Sequence, residues 1–128
     1  MNLYLQPWRK YADFDGRAGL GEFWVFTLVN AAIVFSVTVC GGVLSAGETA
    51  DGEVGTSALA INALVTLFGL AVLLPSIAVG VRRLHDSGKT GWLLLLILVP
   101  LLGGLILLVL YILPPTPGEN RYGAPSAP

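Results

Sequence analysis

An all-α integral membrane protein, with three transmembrane helices behind an N-terminal interfacial segment, is the fold class this sequence predicts. Three observations carry that prediction. Of 128 residues, 55% are hydrophobic and 12% charged, with a mean hydropathy of +0.77, which places the chain in the membrane class. Three runs, about 23–44, 57–81 and 92–113, contain no Asp, Glu, Lys or Arg, and each is long enough to cross a hydrocarbon core as a helix. Between the second and third runs lies a polar island, Arg82-Arg83-Leu84-His85-Asp86-Ser87-Gly88-Lys89-Thr90-Gly91-Trp92, with three of the seven Lys+Arg and the only His. Such an island sits at a water boundary and marks where both flanking runs leave the hydrocarbon.

Residues 1–22 are mixed in character. Pro7 suits the first turn of a short helix, on which Tyr4, Trp8 and Tyr11 share one face and Arg9 and Lys10 point elsewhere. Aromatics beside cations suit a helix lying in the headgroup layer, and a loose tail is the alternative. Gly16 is a turn signal. The first run then opens on Glu22-Phe23-Trp24, an anion at a helix N-terminus followed by interfacial aromatics. Ser45-Ala46-Gly47 resembles a signal-peptide cleavage site, but the run before it is longer than a signal peptide's apolar core.

Glu48, Asp51 and Glu53 lie in a glycine-rich loop between the first two runs, without the spacing of an EF-hand. Pro75 falls near the end of the second run and predicts a kink or loosened hydrogen bonds there. Asn62 reads as a hydrogen-bonding contact between helices or at the interface. Gly88 is the natural stop for the second helix. In the third run Pro100-Leu101-Leu102-Gly103-Gly104 breaks the helix, which is therefore kinked or re-entrant. Pro114-Pro115-Thr116-Pro117 ends it. Residues 114–128 form a polar C-terminal tail, with 1–22 and the 23–113 membrane domain completing the organisation.

Orientation follows from the cations. Arg9, Lys10, Arg17, Arg82, Arg83 and Lys89 lie on one side if there are three spans, which makes the N-terminus and the island cytoplasmic in a multi-pass protein. The C-terminus is then outside, unless the third run is re-entrant.

The chemistry the sequence offers is narrow. A net charge of −1 carries no signature of nucleic-acid binding. Cys40 is the lone cysteine within an apolar run, so neither a disulfide nor a metal site is expected, and no cofactor is implied. Ser87-Gly88-Lys89-Thr90 imitates the end of a P-loop, but Arg83 stands where its first glycine belongs. His85 and Asp86 are adjacent, and neighbours on a helix do not face each other, which argues against a catalytic dyad. No catalytic residue is assigned. Either Arg82 (i, i+4) or Arg83 (i, i+3) is spaced to pair with Asp86, and Glu22 or Asp15 is placed to accept from the same arginines. The cluster Asp15, Arg17, Glu22, Arg82, Arg83, His85, Asp86 and Lys89 thus reads as a structural clamp or as a site for an anionic lipid headgroup or small anion. Glu119, Asn120, Arg121 and Tyr122 make a second polar motif in the tail.

Phe14-Asp15-Gly16-Arg17-Ala18, Glu22-Phe23-Trp24, Arg82-Arg83-Leu84-His85-Asp86, Gly91-Trp92, the break from Pro100 to Gly103, and Gly118-Glu119-Asn120-Arg121-Tyr122-Gly123 occur in one collinear order from about Trp8 to Gly123. In this the chain resembles the DUF805 family of small bacterial inner-membrane proteins of unknown function. The resemblance implies a bacterial inner-membrane location and no activity. Gly19-Leu20-Gly21 departs from it, standing where the family commonly has further basic residues, which weakens a headgroup site built on those cations. The function expected is a non-enzymatic membrane component that self-associates, or binds other membrane proteins or anionic membrane lipid, through its cytoplasmic Arg/His/Asp cluster. The alternative is a small transporter or channel subunit, whose polar path would have to be assembled from Ser, Thr, Asn and kinked backbone in an oligomer. Small residues such as Gly69 and Ala71, or Gly103 and Gly104, are where helices are expected to approach closely.

Overall fold

The computed structural model describes residues 2–46 and 55–126; the acidic loop with Glu48, Asp51 and Glu53 lies outside them. The regular elements are helical: α1 (Leu5–Arg9), α2 (Leu20–Ser45), α3 (Thr56–Asp86), a 3₁₀ segment (Gly91–Leu98) and α4 (Leu102–Ile112). They divide into two bodies, Met1–Thr27 with Leu74–Pro128, and Leu28–Leu73.

Two helices, α2 and α3, are long and apolar enough to cross a membrane. At 1.5 Å per residue they measure about 39 and about 46 Å. The first turn of α2 carries Glu22, and Phe23 N–H donates to Gly19 C=O. α3 runs unbroken through Pro75 to Asp86. Its stop is at Gly88 (φ +74°), where Gly88 N–H donates to His85 C=O and Lys89 N–H to Leu84 C=O, the paired bonds of a Schellman motif. Asn62 donates to Ala58 C=O at 2.8 Å, and Thr66 Oγ1 to Asn62 C=O at 2.7 Å. The Asn62 side chain, expected to make a contact between helices or at the interface, thus donates to a carbonyl of its own helix.

The expected third span, 92–113, is not one continuous helix. Val99 precedes a proline and is extended (φ −90°, ψ 108°), as proline's ring requires. Leu101 has φ 60° and ψ −63°, and Leu102 N–H donates to Pro100 C=O at 2.7 Å. That is a γ-turn of the rare, strained hand. Gly103 follows, where a Cβ would run into the Leu96 carbonyl, so the two arms approach backbone to backbone. Both arms come back to one stretch of α3: Leu94 and Tyr111 flank Gly80, and Gly91 abuts Val81 and His85. The run is a hairpin with arms of about 16 Å each.

In the first body, Ala18, Phe23, Phe26, Ala78, Val79 and Leu84 are buried. The aromatic face of α1 packs inward instead of standing free: Tyr4 and Trp8 each lie 5.8 Å from Phe26, ring to ring. In the second body, α2 and α3 meet at Gly41, where a Cβ would lie 2.6 Å from the Ile61 side chain. Beside this contact, Ile33, Val34, Val37, Leu64, Val65 and Phe68 line an apolar cavity of about 240 Å³.

Candidate functional site

The site is the ion cluster at the C-terminal end of α3. Arg82, Arg83, His85 and Asp86 leave the helix in different directions because successive helical residues are rotated by about 100°. Arg82 Nη1 donates to Glu22 Oε1 at 2.8 Å, linking α3 to the first turn of α2. Arg83 Nη1 donates to Asp86 Oδ2 at 2.5 Å one turn along the helix. Ala18 N–H donates to Arg82 C=O at 3.0 Å and draws the loop before α2 onto α3. That places Arg17 over Asp86, with Nε 2.8 Å from Oδ1.

Asp86 is the hub. Its carboxylate accepts from Arg17 and Arg83, and its backbone carbonyl accepts from Thr116 N–H (2.8 Å), Thr116 Oγ1 (3.2 Å) and Arg17 Nη2 (3.2 Å). The remaining guanidinium donors go to tail carbonyls. Arg17 Nη1 reaches Gly118 at 2.7 Å and Nη2 reaches Thr116 at 2.8 Å. Arg83 Nε reaches Tyr111 at 3.1 Å and Nη2 reaches Leu113. Arg82, Arg83 and Asp86 are 0% exposed. Buried charges of this kind are stable only when paired and hydrogen-bonded together. Arg82 departs from that rule, because its buried Nε and Nη2 have no hydrogen-bond partner.

The other face of α3 carries His85. Its Nδ1 lies 3.1 Å from Gly16 C=O, and its ring stacks on Tyr122 at 3.8 Å and 5°. Asn120 Nδ2 donates to His85 C=O at 2.9 Å and to Thr116 Oγ1 at 2.7 Å. The Arg121 guanidinium sits 4.8 Å from the Tyr122 ring centre. Beside His85 opens a groove of about 560 Å³, walled by Phe14, Val81, Trp92, Leu94 and Leu95 with Asp15 and Thr90.

The residues singled out from sequence do not all converge. Arg17, Glu22, Arg82, Arg83 and Asp86 form the ion network. His85, Asn120 and Tyr122 pack beside it. Asp15, Lys89 and Glu119 are exposed and make no ion pair among the described residues. The Arg82–Asp86 and Asp15–arginine pairings do not form; Asp86 is shared by Arg17 and Arg83 instead. With their side chains buried, Arg82 and Arg83 present no donor to an external headgroup. The Arg17–Asp86 bond, across 69 residues, and the acceptors at Tyr111, Leu113, Thr116 and Gly118 had no sequence signal beyond the polar tail motif itself. Among the described residues no His/Cys/Asp/Glu group is arranged to hold a metal ion.

The family model described as "Protein of unknown function (DUF805)" matches residues 11–124. The chain is similar to Inner membrane protein YhaH of Escherichia coli strain K12, with 39% identity over 123 residues, covering 96% of this chain and 94% of that one. It is also similar to Inner membrane protein YhaI of the same strain, at 37% identity, covering 96% and 93%. No solved structure matches.

Proposed function

The chain belongs to the DUF805 family, and from that membership and the geometry of the ion cluster we propose a non-enzymatic component of the bacterial inner membrane that crosses twice and offers a binding face at its cytoplasmic end. The observation that carries this reading is the return of the tail to Asp86, where Thr116 N–H meets the Asp86 carbonyl and Arg17 bridges both. A third run that comes back to its starting point leaves α2 and α3 as the crossings and the hairpin as a re-entrant element. Its irregular backbone at Val99–Leu101 is the kind of structure that needs shielding by protein at membrane depth.

The cation count supports the same arrangement. With three crossings Arg121 stands apart from the other cations. With two, all seven Lys+Arg share the cytoplasmic side with both termini. The clamp reading of Arg17, Glu22, Arg82, Arg83 and Asp86 is favoured over an anion site, because the guanidinium donors that are engaged go to protein carboxylates and carbonyls.

Cysteine accessibility in intact cells tests the reading, with Cys40 replaced by Ala and single cysteines at Ser45, Ser87 and Ser126. Labelling of Ser45→Cys from outside, with Ser87→Cys and Ser126→Cys protected until the membrane is opened, is the expected outcome. External labelling of Ser126→Cys restores three crossings and ends the proposal.

A further inference from the structure

We propose that the groove beside His85 binds a membrane phospholipid through a protonated primary-amine headgroup, phosphatidylethanolamine being the simplest lipid of that class. The inference rests on the cytoplasmic-cluster reading above and names the ligand of that face.

The polar side of the groove presents acceptors. Gly16 C=O can only accept, so the bond at 3.1 Å places the ring proton on His85 Nδ1, and in the neutral ring Nε2 is a lone-pair acceptor. Stacking on Tyr122 fixes the ring's rotation. Nε2 faces the groove: it lies 3.3 Å from where a Cβ on Gly91, a groove residue, would stand. Asp15 adds an exposed carboxylate with no ion pair among the described residues. Among the described residues no Lys or Arg side chain lines the groove. An anion therefore meets two acceptors there, while an ammonium meets a counter-charge and two places for its N–H groups. Lys89 and Arg121 are exposed and adjoin the groove residues Thr90 and Tyr122 in sequence, with the Arg121 guanidinium 4.8 Å from the Tyr122 ring centre, which makes them the nearest candidates to meet a zwitterion's phosphate.

The other side suits acyl chains. Val81, Leu94 and Leu95 give an apolar wall, and Trp92 is 78% exposed at the start of the hairpin arm, a position where an indole belongs at a membrane interface. A cavity of about 560 Å³ holds a headgroup and the beginning of its chains. A small water-soluble amine leaves that wall uncovered, which is why the occupant is a lipid.

Native mass spectrometry tests this on the full chain, purified in mild detergent with an equimolar mixture of dioleoyl phosphatidylethanolamine, phosphatidylcholine and phosphatidylglycerol. The expected result is selective retention of phosphatidylethanolamine, because methylation removes the N–H donors and phosphatidylglycerol carries only the anion. Asp15→Asn lowers that retention roughly tenfold, the effect of one charge-assisted hydrogen bond. Asp15 is exposed, so Asp15→Asn melts within a few degrees of wild type. Millimolar phosphoethanolamine does not displace the lipid; displacement would overturn the lipid as occupant. Equal retention of all three lipids, a preference for phosphatidylglycerol, or an Asp15→Asn protein that retains phosphatidylethanolamine as wild type does, overturns the inference. Any of these in a protein whose Ser87→Cys and Ser126→Cys labelling matches two crossings defeats the lipid site alone and leaves the topology standing.

Discussion

The two bodies each take a part of α2 and α3, the first adding α1, the hairpin and the tail, and they hold together by opposite means. In Met1–Thr27 with Leu74–Pro128, buried arginines are matched to carboxylates and carbonyls at fixed distances, and each bond has one acceptable geometry. In Leu28–Leu73, the described residues carry no charge, and packing rests on contacts such as Gly41 against Ile61. Dispersion contacts are tolerant of substitution, whereas a buried charge that loses its partner keeps its full desolvation penalty. One body therefore fixes the register of several segments, and the other supplies apolar length.

Breaking the hub tests that contrast most severely. Asp86→Ala leaves Arg17 and Arg83 buried without their carboxylate, at a cost of about 3–5 kcal/mol. Thermal unfolding in detergent, read beside the amount of inserted protein, should show near-complete loss, with Asp86→Asn intermediate. Wild-type melting of Asp86→Ala would falsify the clamp. Arg17→Lys keeps the charge but loses the planar fork that reaches Asp86, Thr116 and Gly118 together. A loss of about 2 kcal/mol is expected, as for one or two hydrogen bonds to a charged group.

Smaller effects sharpen the comparison. Gly103→Ala pushes a methyl into the Leu96 carbonyl and should cost about 1–3 kcal/mol, as overpacking does. Proteolysis of the hairpin in reconstituted vesicles reads it. Leu101→Gly removes a side chain from a positive-φ position and should raise stability by about 1 kcal/mol, the lower end of such strain. Smallest is Leu67→Ala in the second body. Leu67 is 65% exposed, and a change within about 0.5 kcal/mol is expected in detergent melting, as for surface positions generally. An effect as large as that of Arg17→Lys would show that Leu28–Leu73 is specified as tightly as the ion cluster.

Much of the cluster was legible because charges are rare in this chain and have to find each other. Glu22 with Arg82 and Arg83 with Asp86 follow from their positions at helix ends and from i, i+3 spacing, and Gly88 as the stop follows from its freedom at φ +74°. Arg17 with Asp86 was not legible, since the bond depends on the Ala18–Arg82 backbone contact that positions the loop. The tail carbonyls were invisible for a simpler reason: every residue has one, and only the folded path decides which are used. The break at Pro100 was readable as a break. Its outcome as a hairpin depended on Tyr111 and Leu113 reaching Arg83, contacts that sequence spacing does not encode. Glycine number misled as well: Gly69 and Gly104 face open space, while Gly41 and Gly103 mark the close approaches.

The acceptors at Tyr111, Leu113, Thr116 and Gly118 leave the ribosome after α1, α2 and α3, yet Arg17 and Arg83 depend on them. A nascent chain holding α1 to α3 already contains every charge of the clamp and lacks the carbonyls that complete it. Biogenesis thus has a built-in order, in which the C-terminal segment closes the assembly after both long helices are in place. A chain cut short before residue 111 is left with guanidinium groups short of partners, a defect that quality-control proteases are suited to recognise.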